Sequence, residues 1–140
     1  MPIASGAAMS EALNEAMALI EPLFLAKARE NAPVDTGVFA AGLESTLVGG
    51  GVGSILGDLS IEIRSTAEVP LMEWVLLGTQ PHEIGADNQF LYNPDDEFAA
   101  MGPVEHPGTA PDDFSTPTLQ EIDGIAQEIL IRAIADAFAL

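Results

Sequence analysis

The chain has 140 residues, 48% of them hydrophobic and only 6% aromatic, with no cysteine. That length suits one domain with an aliphatic core, and the absence of thiols excludes disulfides and thiolate metal sites. Twenty-two carboxylates face four bases, Lys27, Arg29, Arg64 and Arg132, for a net charge of −18, which disfavours direct phosphate binding and leaves either a solvated acidic surface or a wall that repels nucleic acid.

No stretch reaches the roughly 18 apolar residues of a membrane span. No basic region precedes an apolar run at the N-terminus, so a signal peptide is not expected and a cytoplasmic origin is. Residues 1 to 9 read as a flexible extension. Residues 10 to 30 read as a helix, with Leu13, Met17, Ile20, Phe24 and Ala28 at steps of three or four. Ser10 is the expected N-cap. Pro22 predicts a kink or two abutting helices. Lys27 and Arg29 suit the negative end of the helix dipole.

"NAPVDTG", residues 31 to 37, ends that helix through Asn31, Pro33, Asp35 and Gly37. The later part of "VFAAGLESTLV" reads as a strand. "GGGVGSILGD", residues 49 to 58, reads as a mobile hairpin tip, because it lacks the Lys-Ser/Thr and the glycine spacing of a nucleotide loop. In "LSIEIRS" Leu59, Ile61 and Ile63 alternate with polar residues, which predicts a half-buried strand. "EVPLMEWVLLG", residues 68 to 78, predicts a short helix with Pro70 in its first turn and Gly78 as its stop. Trp74 is expected as an anchor of the core or of a subunit contact.

Residues 79 to 114 are rich in Pro, Gly, Asp and Asn. They predict two short strands and long connections, of the kind that carry function or wait for a partner. The last helix is expected from Thr118, with Thr118 and Glu121 as a capping box. Leu119, Ile122, Ile129, Ala133 and Phe138 mark its buried face, and Gly124 is a weak point. Helices flanking short strands predict an α+β fold, with N- and C-terminal helices packed on a small antiparallel sheet.

The two histidines, His82 in "GTQPHEIGAD" and His106 in "EHPGTAPDDF", invite three readings. With nearby carboxylates they offer nitrogen and oxygen metal ligands, and so a small metal-dependent hydrolase. No HxxxH or HExxH spacing supports this, and no GxSxG motif supplies a nucleophile. Acid–base catalysis by the histidines and carboxylates is the second, and it needs a pocket that shifts their pKa values, which no sequence pattern supplies; the charge of the whole chain separately allows an acidic module that mimics nucleic acid and blocks a basic protein. The third is structural: Thr, Pro and Gly shape turns, and a neutral histidine ties a loop to its neighbour.

The order of the segments favours the structural reading. "NAPVDTG" after a helix, "STAEVPLMEWVLLGT", "PHEI", then "VEHPGTAPDDF" before a last helix form one series. This series resembles the small neck and tail-completion proteins of long-tailed phages, the minor tail components, a group that broadly includes the lambda-type tail completion protein. Gly78, Thr79, Pro81, His82, Ile84, His106, Pro107, Gly108, Thr109, Pro111 and Phe114 fit that family. The chain departs from it at Phe39, Ala40 and Ala41, where the family has a Leu and a basic residue, at Pro70 and Leu71, near the family's Tyr-Ala, and at Leu76, where it has an acid.

The resemblance implies an α+β virion subunit of the head–tail junction, with no enzyme activity and no cofactor. It implies self-assembly, commonly into a six-membered ring. Its implied partners are other neck proteins, the tail terminator or tube, and DNA that passes through without specific binding. On this reading Val34, Asp35, Thr36 and Gly37, Gly78, Thr79, Pro81 and His82, and His106, Pro107, Gly108 and Thr109 are shape-determining turns at or near subunit contacts. Trp74 and Phe114 join them as contact residues.

Overall fold

A computed structural model describes residues 6–34, 37–49, 59–93 and 98–138. The fold is α+β, with N- and C-terminal helices, short antiparallel strand pairs and a short helix between. The chain forms two compact units, one of residues 1–72 with 114–140, the other of residues 73–113.

In the first unit α1 runs from Gly6 to Asn31 and α4 from Ser115 to Ala137. They pack antiparallel. Asn31, at the end of α1, donates through Nδ2 to Thr118 Oγ1 near the start of α4 (3.1 Å), while Ala8 and Ala12 line a groove with Ala133 and Ala137. The α1 stripe buries Leu13, Ala16, Ile20 and Ala28, the side expected from the 3.6-residue period. The helix starts at Gly6, not at a Ser10 cap, and Pro22 lies inside one helix and not between two abutting ones, where it removes one N–H from the ladder.

A four-residue helix, α2 (Val38–Ala41), leads into β1 (Leu43–Val48), which pairs antiparallel with β2 (Ser60–Ser65). The glycine-rich connection at 50–58 lies outside the described residues. Leu43, Ser45 and Leu47 share a face with Ile61 and Ile63. Leu43 is 1% exposed, and its carbonyl accepts from Arg29 Nη2 (2.7 Å). Glu44 and Arg64 pair on the opposite face. Phe114 and Phe39 meet edge-to-face, with ring centroids 5.7 Å apart.

The capping box at Thr118 does not form. The helix begins at Ser115, and Thr118 is a buried residue of its first turn whose Oγ1 donates to the Phe114 carbonyl (2.7 Å). Glu121 instead receives Asn31 Nδ2 (3.3 Å) and the Lys27 ammonium (3.6 Å). Leu119 faces outward rather than into the core, since the stripe passes through Thr118 and Ile122.

The second unit holds most of α3 (Leu71–Leu77) and four strands, β3 (His82–Ile84), β4 (Phe90–Asn93), β5 (Phe98–Met101) and β6 (Val104–His106). The sequence pattern predicts two strands here, because proline and glycine mask the period of the other two. Strand β3 pairs with β6, and β4 with β5, all antiparallel. The β4–β5 pair is nested in sequence between β3 and β6. Between the pairs the Gly102 amide donates to the Gln89 carbonyl (2.6 Å), and the Asn88 amide to the Gly102 carbonyl (3.1 Å). The second unit is therefore one two-stranded ribbon, interrupted where these turns meet.

Candidate functional site

The ribbon begins with "GTQPHEI" on one strand and "VEHPGTA" on the other. Thr79 bridges Thr109, and the Thr79 and Thr109 amides donate to each other's carbonyls (3.0 and 3.1 Å). Further along, His82 faces His106, Glu83 faces Glu105 and Ile84 faces Val104. Both stretches share one register. Between them Gln80 falls opposite Gly108, and Pro81 opposite Pro107.

The register explains the interruption. In an antiparallel ladder, alternate pairs exchange both N–H···O bonds. Thr79–Thr109 is such a pair, and the next falls at Pro81 and Pro107, neither of which has an N–H. No backbone bond can form there, and the paired strands β3 and β6 begin just beyond, from His82 and His106. Read outward in one direction and inward in the other, the strands match like with like: Thr with Thr, Pro with Pro, His with His, Glu with Glu.

Gly78 and Gly108 make the close approach possible. Both have positive φ, 73° and 81°, where a side chain is strained. A Cβ on Gly78 would lie 2.5 Å from the Thr109 carbonyl oxygen and 2.9 Å from Pro111 N. A Cβ on Gly108 would run into the Thr79 carbonyl oxygen.

The two histidines stack at 4.9 Å between centroids, tilted by 34°. Their Nδ1 atoms are both engaged with backbone, in opposite senses. His82 Nδ1 lies 2.7 Å from the Gln80 carbonyl, which only accepts, so that nitrogen carries a proton. His106 Nδ1 accepts the Gly108 amide (3.0 Å), so it carries none, and the neutral ring holds its proton on Nε2. Gln80 and Gly108 are themselves opposite positions of the ladder. One histidine thus ties a carbonyl and the other an amide because the strands run in opposite directions.

The segment expected as separate turns is therefore a paired scaffold. Gly78, Thr79, Pro81, His82, His106, Pro107, Gly108 and Thr109 come together. The other expected contact residues do not join them. Phe114 belongs to the first unit, where it is 4% exposed and part of the core. Trp74 is 43% exposed in α3 and does not fill a core. Val34 is exposed, and Gly37, at φ 82°, precedes α2. Asp35 and Thr36 lie outside the described residues. The pairing of the two segments was missed in the sequence, although the mirrored order T-x-P-H-E and E-H-P-x-T carries its signal.

No protein-family model, curated protein or solved structure matches the chain. Among the described residues no three His, Asp or Glu side chains are grouped to hold a metal ion. The carboxylates nearest the histidines in sequence, Glu83 and Glu105, alternate to the other face of the ladder. Glu83 and Glu105 also set like charges directly opposite each other, an arrangement that destabilises a strand pair. No described helix is long and apolar enough to cross a membrane.

All four bases lie in the first unit and all are engaged. Lys27 contacts Glu30 and Glu121, Arg29 the Leu43 carbonyl, Arg64 Glu44, and Arg132 Glu128. The second unit, residues 73–113, carries nine carboxylates and neither Lys nor Arg.

Proposed function

We propose that this chain is a virion structural protein of the phage head–tail junction, a neck or tail-completion subunit that assembles into a ring around the DNA passage. The pairing of "GTQPHEI" with "VEHPGTA" carries the reading. These are two of the segments on which the family resemblance rests, and the Thr79, His82 and His106 side chains are each tied to backbone groups of the ribbon. A ladder held by a threonine pair and two histidine ties, with glycines at its closest approaches, fixes a shape. A ring subunit needs such fixed shapes, because each copy presents one patch to a different patch on the next.

The charge supports the same reading. Six copies at −18 each form a strongly acidic ring. DNA phosphates repel such a surface within a Debye length of about 8 Å, so DNA passes without sticking. The implied partners are further copies, other neck proteins and the tail terminator or tube; no cofactor or catalytic step belongs to this role.

Mass spectrometry and electron microscopy of purified virions test it. The expected result is the chain at the neck in multiples of six. Its absence from virions, or hydrolytic turnover by the purified chain that is lost in His82→Ala and His106→Ala, overturns the proposal.

A further inference from the structure

Among the described residues, the β4–β5 pair exposes one apolar face. Phe90 pairs with Met101 and Tyr92 with Ala99, so these four side chains stand on one side. Phe90 is 67% exposed, Tyr92 62% and Met101 57%. Leu91 points to the opposite face and lies over Gly85. Two of the chain's eight aromatic residues are thus spent on a surface. Together with Met101 they expose on the order of 300 to 400 Å² of apolar area, the range in which a single patch often has a binding role.

The occupant is narrowed by charge. Glu83, Asp87 and Glu105, all exposed, flank the hairpin in the chain, within a unit that has nine carboxylates and no base. A second copy docking through this face brings an equally anionic unit against it, with nine carboxylates and no base. The first unit of another copy is no better, since its four bases are already engaged and outnumbered. We propose that the exposed Phe90–Tyr92–Met101 face of the β4–β5 hairpin docks a different protein, one whose contact surface is apolar at the centre and carries Lys or Arg around it. The apolar face supplies burial and the anionic unit that carries it selects and steers the partner. This goes beyond the ring reading and does not depend on it, because that reading is tested in virions and this one in solution.

The probe is a short peptide alternating Leu and Lys, added to the ¹⁵N-labelled full chain, with Leu–Glu and Ser–Lys peptides as counterparts. The expected result is amide shifts at 90–92 and 99–101 with the Leu–Lys peptide. The Ser–Lys peptide binds at least about tenfold more weakly, and the Leu–Glu peptide leaves the spectrum unchanged. Phe90→Ser with Met101→Ser weakens the Leu–Lys peptide about tenfold, the scale of one hot-spot residue. Tyr92→Ser on its own repeats the test should that double variant lose its fold. Equal binding of the Ser–Lys peptide, or shifts mapping to the helices of the first unit, overturns the proposal. So does sedimentation showing self-association that Phe90→Ser abolishes, which assigns the face to a second copy.

Discussion

Thr79 and Thr109 face each other across the ladder with their hydroxyls 3.1 Å apart, and Thr79 Oγ1 also lies 3.0 Å from the Thr109 amide. One hydroxyl pair thereby closes the strands just before the two prolines interrupt them. Cross-strand Thr pairs contribute up to about 1 kcal/mol. Thr79→Val and Thr109→Val should each destabilise the chain, and the double variant by less than their sum. A coupling of about 0.5 kcal/mol or more in urea unfolding is the expected outcome.

Gly78 and Gly108 should tolerate no side chain, and Gly124 should welcome one. Gly78→Ala and Gly108→Ala each meet a positive φ and opposing backbone, and each should cost about 2 kcal/mol or more. Gly124 lies in α4 with nothing within 4 Å of a Cβ. Gly124→Ala should stabilise by about 0.5 to 1 kcal/mol. Thermal unfolding of the three variants separates these signs.

The sequence was legible where one physical signal dominated. The period of Leu13, Ile20 and Ala28 located α1, and the alternation of Ile61 and Ile63 located β2. It misled where two signals competed. Thr118 has the chemistry of an N-cap, yet burial against α1 drew it into the first turn and gave its hydroxyl to Phe114. Phe114 belongs in sequence to the "HPGTAPDDF" motif but in space to the core of the other unit. The histidine ladder was hidden because Pro81 and Pro107 interrupt the strand pattern, leaving only three-residue strands beyond them.

Thr118 is 2% exposed and both donates to the Phe114 carbonyl and accepts from Asn31. Thr118→Val keeps the shape and removes both bonds, which should cost about 1 to 2 kcal/mol. Thr118→Ser keeps the bonds and loses one methyl, at about 0.8 kcal/mol. Chemical denaturation should rank Val as the more damaging of the two.

The ion pairs of Lys27 set a pH dependence of known sign. Its hydrogen bond and charge pairing with Glu30, then the charge of Glu121, raise its pKa above the ordinary 10.5, against a smaller desolvation effect. A raised folded-state value means that the contribution is fully present below the ordinary value and is lost as pH rises through the raised one. Unfolding from pH 9 to 12 should therefore show a small fall in stability that Lys27→Met reduces. An unchanged slope in that variant would count against the pairing.

The two histidines should differ in what they hold. His106 Nδ1 is the acceptor for the Gly108 amide, a half-buried N–H whose residue sits against the opposite strand. His106→Ala removes that acceptor, and an N–H without a partner costs about 1 to 3 kcal/mol. His82 is exposed and donates to a carbonyl that water reaches as readily. His82→Ala should cost only a few tenths of a kcal/mol on that ground. Amide exchange gives the site-specific check: Gly108 should lose protection in His106→Ala and keep most of it in His82→Ala. Equal loss in both variants would mean that the stacking of the rings, and not the backbone ties, holds the ladder.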